Sequence, residues 1–328
     1  MKFGEKEGIV DISDQQAGAI NRAPMEDEFE PMLELTPALV QKRRSQGRII
    51  FDRFMRNRTA VAGAAVLIFM FVFCFLGPYI TGHNQPDTIN VSNVSQTLAG
   101  PSLQFPLGTD DVGRDELARA MAGGQVSLLI GLTSMLVAIG VGVGIGSIAG
   151  YYGGIVDNLL MRLTDVVLSV PLYLLLFVLS ASFIDHTPRS VIILIAVLVW
   201  PAASRLVRGE FLALREREYV LAARTSGARN FRLMFRHILP NAAGPIIVNA
   251  TILVGNNIIL ESVLSYFGFG IQPPYASWGN MISDGQGYFS VNPWLVFVPG
   301  LLIFFTVLSF NLVGDGLRDA LDPRMTER

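Results

Sequence analysis

The stretch REREYVLAARTSGARNFRLMFRHILPN, Arg215–Asn241, decides how this chain is organised, because it is basic and polar and lies between two apolar stretches. The wider segment 205–241 contains eight arginines and only three acidic residues. Apolar side chains still recur there at helical spacing, with Phe231, Phe235 and Ile238 on one face and Arg229, Arg232 and Arg236 on another. We therefore predict an amphipathic helical loop outside the membrane that docks a partner protein.

The rest of the chain is too apolar for an ordinary soluble domain. Of its 328 residues, 51% are hydrophobic and 16% are charged. Because a membrane-spanning helix needs about 20 apolar residues, the sequence predicts an all-α membrane protein with six transmembrane helices. The predicted spans are Thr59–Ile80, Val126–Tyr151, Leu160–Ile184, Val191–Val207, Ala243–Leu264 and Pro293–Val313.

Basic residues mark one side of this predicted membrane protein. Ten lysines and arginines precede the first span, eight lie in 205–241 and three follow the last span, whereas the segments assigned outside hold three. Since cytoplasmic loops are enriched in Lys and Arg, both termini are predicted to be cytoplasmic. The predicted divisions are a tail 1–58, a first span 59–80, an extracytoplasmic loop 81–125, a five-helix core 126–313 and a tail 314–328.

The predicted N-terminal tail changes character along its length. Residues 1–34 hold nine acidic residues against three basic ones and are expected to be a disordered cytoplasmic tail. The basic stretch 42–58 suits a position against anionic lipid headgroups. A short amphipathic helix is expected there, with Ile49, Ile50 and Phe54 facing lipid.

Several enzyme classes are excluded by what the sequence lacks. Its three lysines are not part of a GxxxxGK[ST] motif, so the chain has no P-loop ATPase site. It has three histidines and no HExxH motif, so neither a metal site nor a catalytic residue is predicted. Cys74 is the single cysteine, which excludes an intrachain disulfide. The spans carry few ionisable residues, which favours energy supplied from outside the chain over a membrane-potential-driven carrier.

The basic segment resembles the EAA loop of ABC importer permeases, whose pattern is E-A-A, three residues, Gly, nine residues, Ile-x-Leu-Pro. The residues that match at this spacing are Ala222, Ala223, Gly227, Leu239 and Pro240. Leu221 and His237 stand where the pattern has Glu and Ile, and Glu218 is a candidate replacement one turn earlier. The sequences EYVLAARTSGA and RHILPN are similar to those of the dipeptide/oligopeptide branch of these permeases.

This resemblance implies that the loop couples the chain to a cytoplasmic ATPase. A coupling helix Glu216–Ser226 is expected to pack closely against the ATPase through its alanines. Gly227 permits the turn that follows. The segment Arg229–His237 is expected to lead back to the membrane until Pro240 stops that helix. The candidate coupling residues are Glu216, Glu218, Ala222, Ala223, Ser226, Gly227, Arg229, Leu239 and Pro240.

Three more segments are similar to signatures of the same branch. FPLGTDDVGRDELARAMAGGQVSL, Phe105–Leu128, predicts a turn and then a short helix Gly113–Met121. Its charged residues form either an external docking surface for a substrate-delivering protein or a solvated loop with an internal ion pair: Asp110, Asp111, Arg114 and Asp115. FGFGIQPPYASWGNMISDG, Phe267–Gly285, predicts either aromatic anchoring at lipid headgroups or an external gate or docking edge. In FNLVGDGLRDALDPR, Gly314 and Gly316 are expected to end the last helix.

Small and polar residues within or beside the spans each have two interpretations. Gly140, Gly142, Gly144 and Gly146 indicate close helix packing, either inside the chain or at a subunit seam. Arg162 and Asp165 are spaced for an i,i+3 ion pair or for contact with a partner. The polar residues of the fifth span line a translocation path or make interhelical hydrogen bonds: Asn249, Asn256, Asn257 and Glu261.

The family resemblance implies a type I importer permease of MetI-like fold in the bacterial cytoplasmic (inner) membrane. It also implies a homologous B-type permease, two cytoplasmic ATPases that carry ATP and Mg²⁺, and an extracytoplasmic peptide-binding protein. The chain itself is expected to need no cofactor, to contact membrane lipids and to bind no nucleic acid. Oligopeptides or dipeptides are the expected cargo. Nickel complexes, glutathione, a self-sufficient secondary carrier and a channel or scaffold stay open as alternatives.

Overall fold

The computed structural model describes residues 46–86, 97–182 and 185–321. Within those residues the chain is helical, and its one pair of bridged extended residues is Thr109 and Asp115. The predicted acidic tail 1–34 lies outside the described residues, as do residues 322–328. The fold is therefore the predicted all-α class.

Ten helices, numbered here in chain order, make up the described structure. They are α1 Gln46–Arg56, α2 Arg58–Thr81, α3 Glu116–Tyr152, α4 Gly154–Ser169, α5 Leu172–Ser180, α6 Pro188–Arg215, α7 Glu218–Thr225, α8 Asn230–Tyr266, α9 Trp278–Gln286 and α10 Trp294–Leu321. Five of them, α2, α3, α6, α8 and α10, are long and apolar enough to cross a membrane. The pair α4 and α5 supplies a sixth crossing if it is one broken span.

The third predicted span is broken, which corrects the single helix Leu160–Ile184. Helices α4 and α5 meet at an angle of 81°. Val170 and Pro171 between them have extended ψ values of 135° and 125°. Proline lacks an N–H group and disfavours the helical conformation of the residue before it. The sequence SVPLY therefore carried the signal for this break.

Three helices extend beyond their predicted ends. Helix α3 begins at Glu116, so the expected short helix Gly113–Met121 is the first turns of a 37-residue helix. Helix α6 continues past Arg205 to Arg215. Helix α10 continues through Gly314 and Gly316 to Leu321, because these glycines serve helix packing there. A methyl group at Gly314 would lie 2.7 Å from Thr251 Oγ1 of α8.

The proline expected to end a helix instead lies within one. Helix α8 runs from Asn230 to Tyr266, and Pro240 occupies the second position of its α-helical part. The preceding turn, Leu233–Ile238, is a wider π-helix. Proline is tolerated in the first turn of an α-helix because no intrahelical N–H bond is lost there.

The amphipathic helix expected before the first span is α1. Its Phe54 faces α10, since a methyl group added at Gly316 would lie 3.3 Å from Phe54 Cε2. The exposed apolar side chains of α1 include Phe51 and Met55, which are 61% and 51% exposed. The sequence predicted that Phe54 faces lipid, and this prediction is wrong because Phe54 packs towards α10.

A line of glycines lets α3 pack closely along α6. Methyl groups at Gly142, Gly146 and Gly150 would lie 2.7, 2.8 and 2.6 Å from the Cβ atoms of Ala203, Val207 and Phe211. Gly140 and Gly144 have no atom within 4 Å of such a group. The spacing of four residues places the packed glycines on one helix face, so the seam within the chain uses one face of the glycine-rich stretch.

We predict opposite effects for two alanine substitutions on α3. Gly146→Ala should lower the thermal midpoint of the purified protein, because overpacking typically costs about 1–3 kcal/mol. Gly144→Ala meets open space and should hold or raise the midpoint, because alanine favours helix by about 1 kcal/mol. Equal midpoints for the two variants in the same detergent would contradict this account of the seam.

Candidate functional site

The short helix α7 lies in the polar segment 216–229 between the long helices α6 and α8. Val220 is its one fully buried side chain, and it packs with Phe211 of α6 and Leu233 of α8. Tyr219, Leu221 and Ala222 are exposed. Helix α7 is thus anchored on one side and presents apolar and small side chains on the other.

The end of α7 is a Schellman motif centred on Gly227. The Ala228 N–H donates to the Ala223 carbonyl at 3.1 Å, and the Gly227 N–H donates to the Arg224 carbonyl at 3.0 Å. Gly227 has φ of +83°, a left-handed conformation that glycine adopts without steric cost. This motif turns the chain sharply from α7 towards α8.

The predicted coupling residues divide between this exposed surface and the base of α8. The coupling helix is shorter than predicted, since Glu216 caps the end of α6 and Ser226 caps the end of α7. The exposed members are Glu216, Glu218, Ala222, Ser226, Gly227 and Arg229, and Ala223 is half-buried beside them. Leu239 and Pro240 lie about three turns into α8, where Leu239 packs on the same apolar cluster as Val220.

The face predicted for Phe231, Phe235 and Ile238 is corrected. Phe231 is 72% exposed and packs against Phe235, with their ring centroids 4.5 Å apart and the rings tilted by 36°. Ile238 is fully buried. The π-helical turn Leu233–Ile238 holds more residues per turn than an α-helix, so it rotates Ile238 away from the phenylalanine pair.

Charged and polar contacts that the sequence analysis missed hold the base of this segment. Asp157 of α4 accepts two hydrogen bonds from Arg208 of α6, at 2.5 and 2.6 Å. Arg215 donates to the Gly150 carbonyl at 3.0 Å. Tyr151 donates to the Asn230 side-chain oxygen at 2.9 Å. These bonds tie the ends of α3, α4, α6 and α8 together.

The ion pair predicted between Arg162 and Asp165 is not the one formed. Asp165 pairs with Arg205 of α6 at 2.5 Å, while Arg162 is exposed. Helices α4 and α6 pack together in the fold. Arg205 lies 40 residues after Asp165 in the sequence, so local i,i+3 spacing does not predict this ion pair.

Three of the four residues predicted on the outer rim contact other residues of this chain, as the alternative of an internal ion pair predicted. Asp110 accepts hydrogen bonds from the Arg114 backbone and side chain at 2.7 and 2.6 Å. Arg119 reaches Asp284 of α9 at 2.9 Å. Asp115 caps α3 through the Leu117 N–H and contacts His83.

The four outer residues differ in how much of their surface is exposed to solvent. Asp110 and Asp115 are buried, whereas Asp111 and Arg114 are half-exposed. Burial raises the pKa of Asp284, against the lowering effects of Arg119 and Arg114, so this carboxyl accepts a proton more readily than a free one. Only Asp111 and Arg114 of the predicted docking set therefore offer part of their surface to a partner.

Glu261 lies at the centre of a buried polar network. Its carboxylate accepts hydrogen bonds from Ser127 of α3 at 2.8 Å and from Ser265 at 2.7 Å. Ser127 in turn accepts from the Trp278 N–H, and Ser265 accepts from the Ile271 N–H. Glu261 is fully buried. Of the two interpretations of Glu261, a translocation path or interhelical hydrogen bonds, its geometry fits the hydrogen bonds. The network connects the outer segment 271–278 to α3 and α8.

The three asparagines of the predicted fifth span, all in α8, have different surroundings. Asn257 is fully buried, and its amide lies 2.8 Å from Ser134 Oγ of α3. Asn256 is exposed and lines a cavity of about 490 Å³, whose wall Asn257 also reaches. Asn249 is half-buried and lies outside that cavity. A translocation role stays a prediction for all of them, with Asn256 best placed for it.

Comparison with known proteins assigns the family. Residues 142–327 match the family of binding-protein-dependent transport system inner membrane components. Residues 45–101 match the N-terminal transmembrane domain of oligopeptide transport permease C. The chain belongs to the permeases of peptide ABC transporters.

Curated relatives cover most of this permease. It is 39% identical over 274 residues to the dipeptide transport system permease protein DppC of Bacillus subtilis, covering 83% of this chain and 84% of the relative. It is 38% identical over 273 residues to the oligopeptide permease protein OppC of the same organism, covering 83% and 88%. It is 36% identical over 295 residues to the glutathione permease protein GsiD of Pectobacterium atrosepticum, covering 90% and 97%. The permease is thus a multi-pass inner-membrane protein of MetI-like fold.

The buried network predicts a graded response at Glu261. Glu261→Leu leaves the hydroxyls of Ser127 and Ser265 without their acceptor, and an unsatisfied buried group costs about 1–3 kcal/mol. Glu261→Gln keeps a carbonyl acceptor in the same place. We expect the Leu variant to have a clearly lower thermal midpoint than the Gln variant, measured in one detergent. If the Leu variant is as stable as the Gln variant, the hydrogen-bond network around Glu261 does not stabilise the fold.

Proposed function

We propose that this permease forms half of the translocation pore of an ATP-driven importer for peptides. A homologous B-type permease forms the other half, and one of two cytoplasmic ATPases binds the coupling surface, defined here as the exposed side of residues 216–229. The observation that carries this proposal is α7, a short helix with exposed small and apolar residues and a single buried anchor, Val220. Small residues such as Ala222 allow close seating in a groove.

The connections of α7 explain how movement of an ATPase reaches the membrane. Residues 216–217 join it to α6, and residues 226–229 join it to α8. Both long helices line the 490 Å³ cavity. Because Val220 and the Schellman motif hold α7 against them, a displacement of α7 is passed to α6 and α8 as rigid-body movement. ATP closure on the partner would then alternate the access of the cavity to the two sides.

The charge distribution supports the orientation that this coupling needs. Lys and Arg are more frequent in 205–241 and in the sequence before the first span than in the segments assigned outside, so the positive-inside rule assigns these regions to the cytoplasmic side. Both termini are then cytoplasmic. ATP and Mg²⁺ belong to the partner ATPases, since this sequence has no P-loop motif.

Peptides, dipeptides or oligopeptides, are the proposed cargo, delivered by an extracytoplasmic peptide-binding protein. Relatives named as dipeptide and oligopeptide permeases support this choice. Glutathione is the second candidate, because a relative at 36% identity is named as a glutathione permease. Uptake of labelled dipeptide, oligopeptide and glutathione by cells with and without this chain distinguishes them.

The turn at Gly227 tests the coupling surface. Gly227→Pro forces φ to about −65° where the turn needs +83°, and it removes the N–H that bonds to Arg224. We expect peptide uptake to be abolished while the protein still inserts in the membrane at normal amounts, measured by labelled-peptide uptake and membrane immunoblot.

Gly227→Asn is the matched control, because asparagine tolerates the left-handed conformation better than other non-glycine residues. It should retain most of the uptake. If the Pro variant takes up peptide normally, at equal amounts of inserted protein, 216–229 is not the coupling surface.

A further inference from the structure

Helix α1 carries an exposed apolar strip beside the face that packs against the rest of the chain. Phe51 and Met55 are 61% and 51% exposed and lie one helical turn apart. Phe54 faces α10. Successive residues of an α-helix are rotated by about 100°, so Phe51 and Met55 lie about 60° and about 100° round the helix from Phe54. The strip therefore borders the packed face, and the described residues leave it largely uncovered.

Arginines border the other side of this strip. Arg48 lies about 20° beyond Met55 and Arg56 about 100° beyond it, and both arginines are exposed. Arg58, at the start of α2, is exposed as well. Asp52 is the single acidic residue of α1, against three arginines. Round its circumference, α1 thus passes from a packed face through an apolar strip to a basic face.

The end of α1 lies at the edge of the membrane-spanning region. Arg56 precedes Thr59, the first residue of the predicted first span, by three residues, which reach at most about 10 Å. The polar headgroups form a layer of roughly 5–8 Å on each side of the hydrocarbon core. Asn57, with an extended ψ of 101°, separates α1 from α2. The C-terminal end of α1 is therefore at the level of the headgroups.

This order of surfaces matches a phospholipid layer. A helix that lies in the interface has its apolar side chains at the acyl boundary and its basic residues beside the headgroups. Anionic lipids of the cytoplasmic leaflet attract basic segments next to a span. Lys42, Arg43 and Arg44 add three positive charges to the sequence just before α1. Charge complementarity thus selects anionic lipids over neutral ones.

We propose that α1 binds anionic phospholipids of the cytoplasmic leaflet. Phe51 and Met55 lie among the upper acyl chains, and Arg48, Arg56 and Arg58 bind the phosphates. The proposal does not depend on the cargo or on the ATPase contact proposed above. It replaces the apolar set expected from the sequence, because the structure places Phe54 against α10.

The contacts of α1 extend the effect of bound lipid to the last helix. The Asn57 side-chain amide donates to the Asp319 carboxylate of α10 at 3.2 Å. A methyl group at Gly316 would contact both Phe54 and Ala60. Lipid that holds α1 therefore also holds the cytoplasmic end of α10. Since a ligand that binds only the folded state stabilises it, anionic lipid should stabilise this permease.

The charge requirement is tested in nanodiscs that contain the full-length permease with any subunits that copurify. Replacing one third of the phosphatidylcholine by phosphatidylglycerol should raise the thermal midpoint of the wild type by about 2–4 °C. Arg56→Gln/Arg58→Gln should lose most of this rise, and Arg56→Lys/Arg58→Lys, which keeps both charges, should retain it. Arg217→Gln/Arg224→Gln is the matched control, because it removes two exposed arginines from the segment 216–229, and it should also retain the rise.

A second measurement tests whether the apolar strip lies in the lipid, and it uses the fact that Cys74 is the single cysteine and is buried. In a Cys74→Ala parent, a bimane fluorophore is attached to Met55→Cys or to Ser226→Cys, an exposed position in 216–229. Brominated phosphatidylcholine quenches fluorophores that reach the acyl chains. We expect it to quench the label at position 55 at least threefold more than the label at position 226.

Each result supports or overturns the lipid site. Equal quenching at the two positions would place the strip outside the lipid and overturn the proposal. Strong quenching at position 55 without a rise of the wild-type midpoint would overturn the binding of anionic lipid. An equal rise for the wild type and for Arg56→Gln/Arg58→Gln would overturn the role of these arginines.

Discussion

A backbone polar group without a partner inside a bilayer costs several kcal/mol, and this constraint governs the whole chain. It explains why the described residues form helices, and why the five longest helices contain the apolar stretches. It also gives meaning to the exception, the break between α4 and α5 with its 81° bend. Freed backbone groups at that depth need protein or water, and the cavity beside Asn256 supplies room for water.

Close packing connects this membrane region to the segment 216–229. The glycine face of α3 brings α6 near enough for Val207 and Phe211 to pack against Gly146 and Gly150. Phe211 then packs on Val220 of α7. The bidentate pair of Asp157 and Arg208 fixes α4 to α6 beside this contact. One continuous path of packed residues therefore joins the exposed side of α7 to the helices that line the cavity.

Much of the fold could be predicted because the signals are local. Apolar runs predicted six spans, and the EAA-like spacing located α7 and its Gly227 turn. The break at Pro171 had a signal in the sequence, but the apolar run around it suggested one span. The glycine-rich stretch indicated close packing, but only the structure separates the packed Gly142 and Gly146 from Gly140 and Gly144, which meet open space.

Tertiary partners could not be predicted in the same way. Asp165 pairs with Arg205 and Glu261 meets Ser127, residues 40 and 134 positions apart, and no local pattern links them. The helix ends of α6 and α10 depended on such contacts too. The outer charged residues allowed either a docking surface or an internal ion pair, because sequence alone does not show that Asp110 pairs with Arg114 and that Asp115 caps the start of α3.

The proposed coupling requires an ATPase to bind the exposed side of α7. The most direct measurement is the amount of ATPase that copurifies with the tagged permease from its native membrane, for the wild type and for Ala222→Trp. We expect the wild type to retain two P-loop ATPases and a second permease, and the bulky variant to recover less ATPase, having lost the one that binds this surface, while it keeps the second permease. Equal ATPase recovery from both, or none from the wild type in several mild detergents, would contradict it.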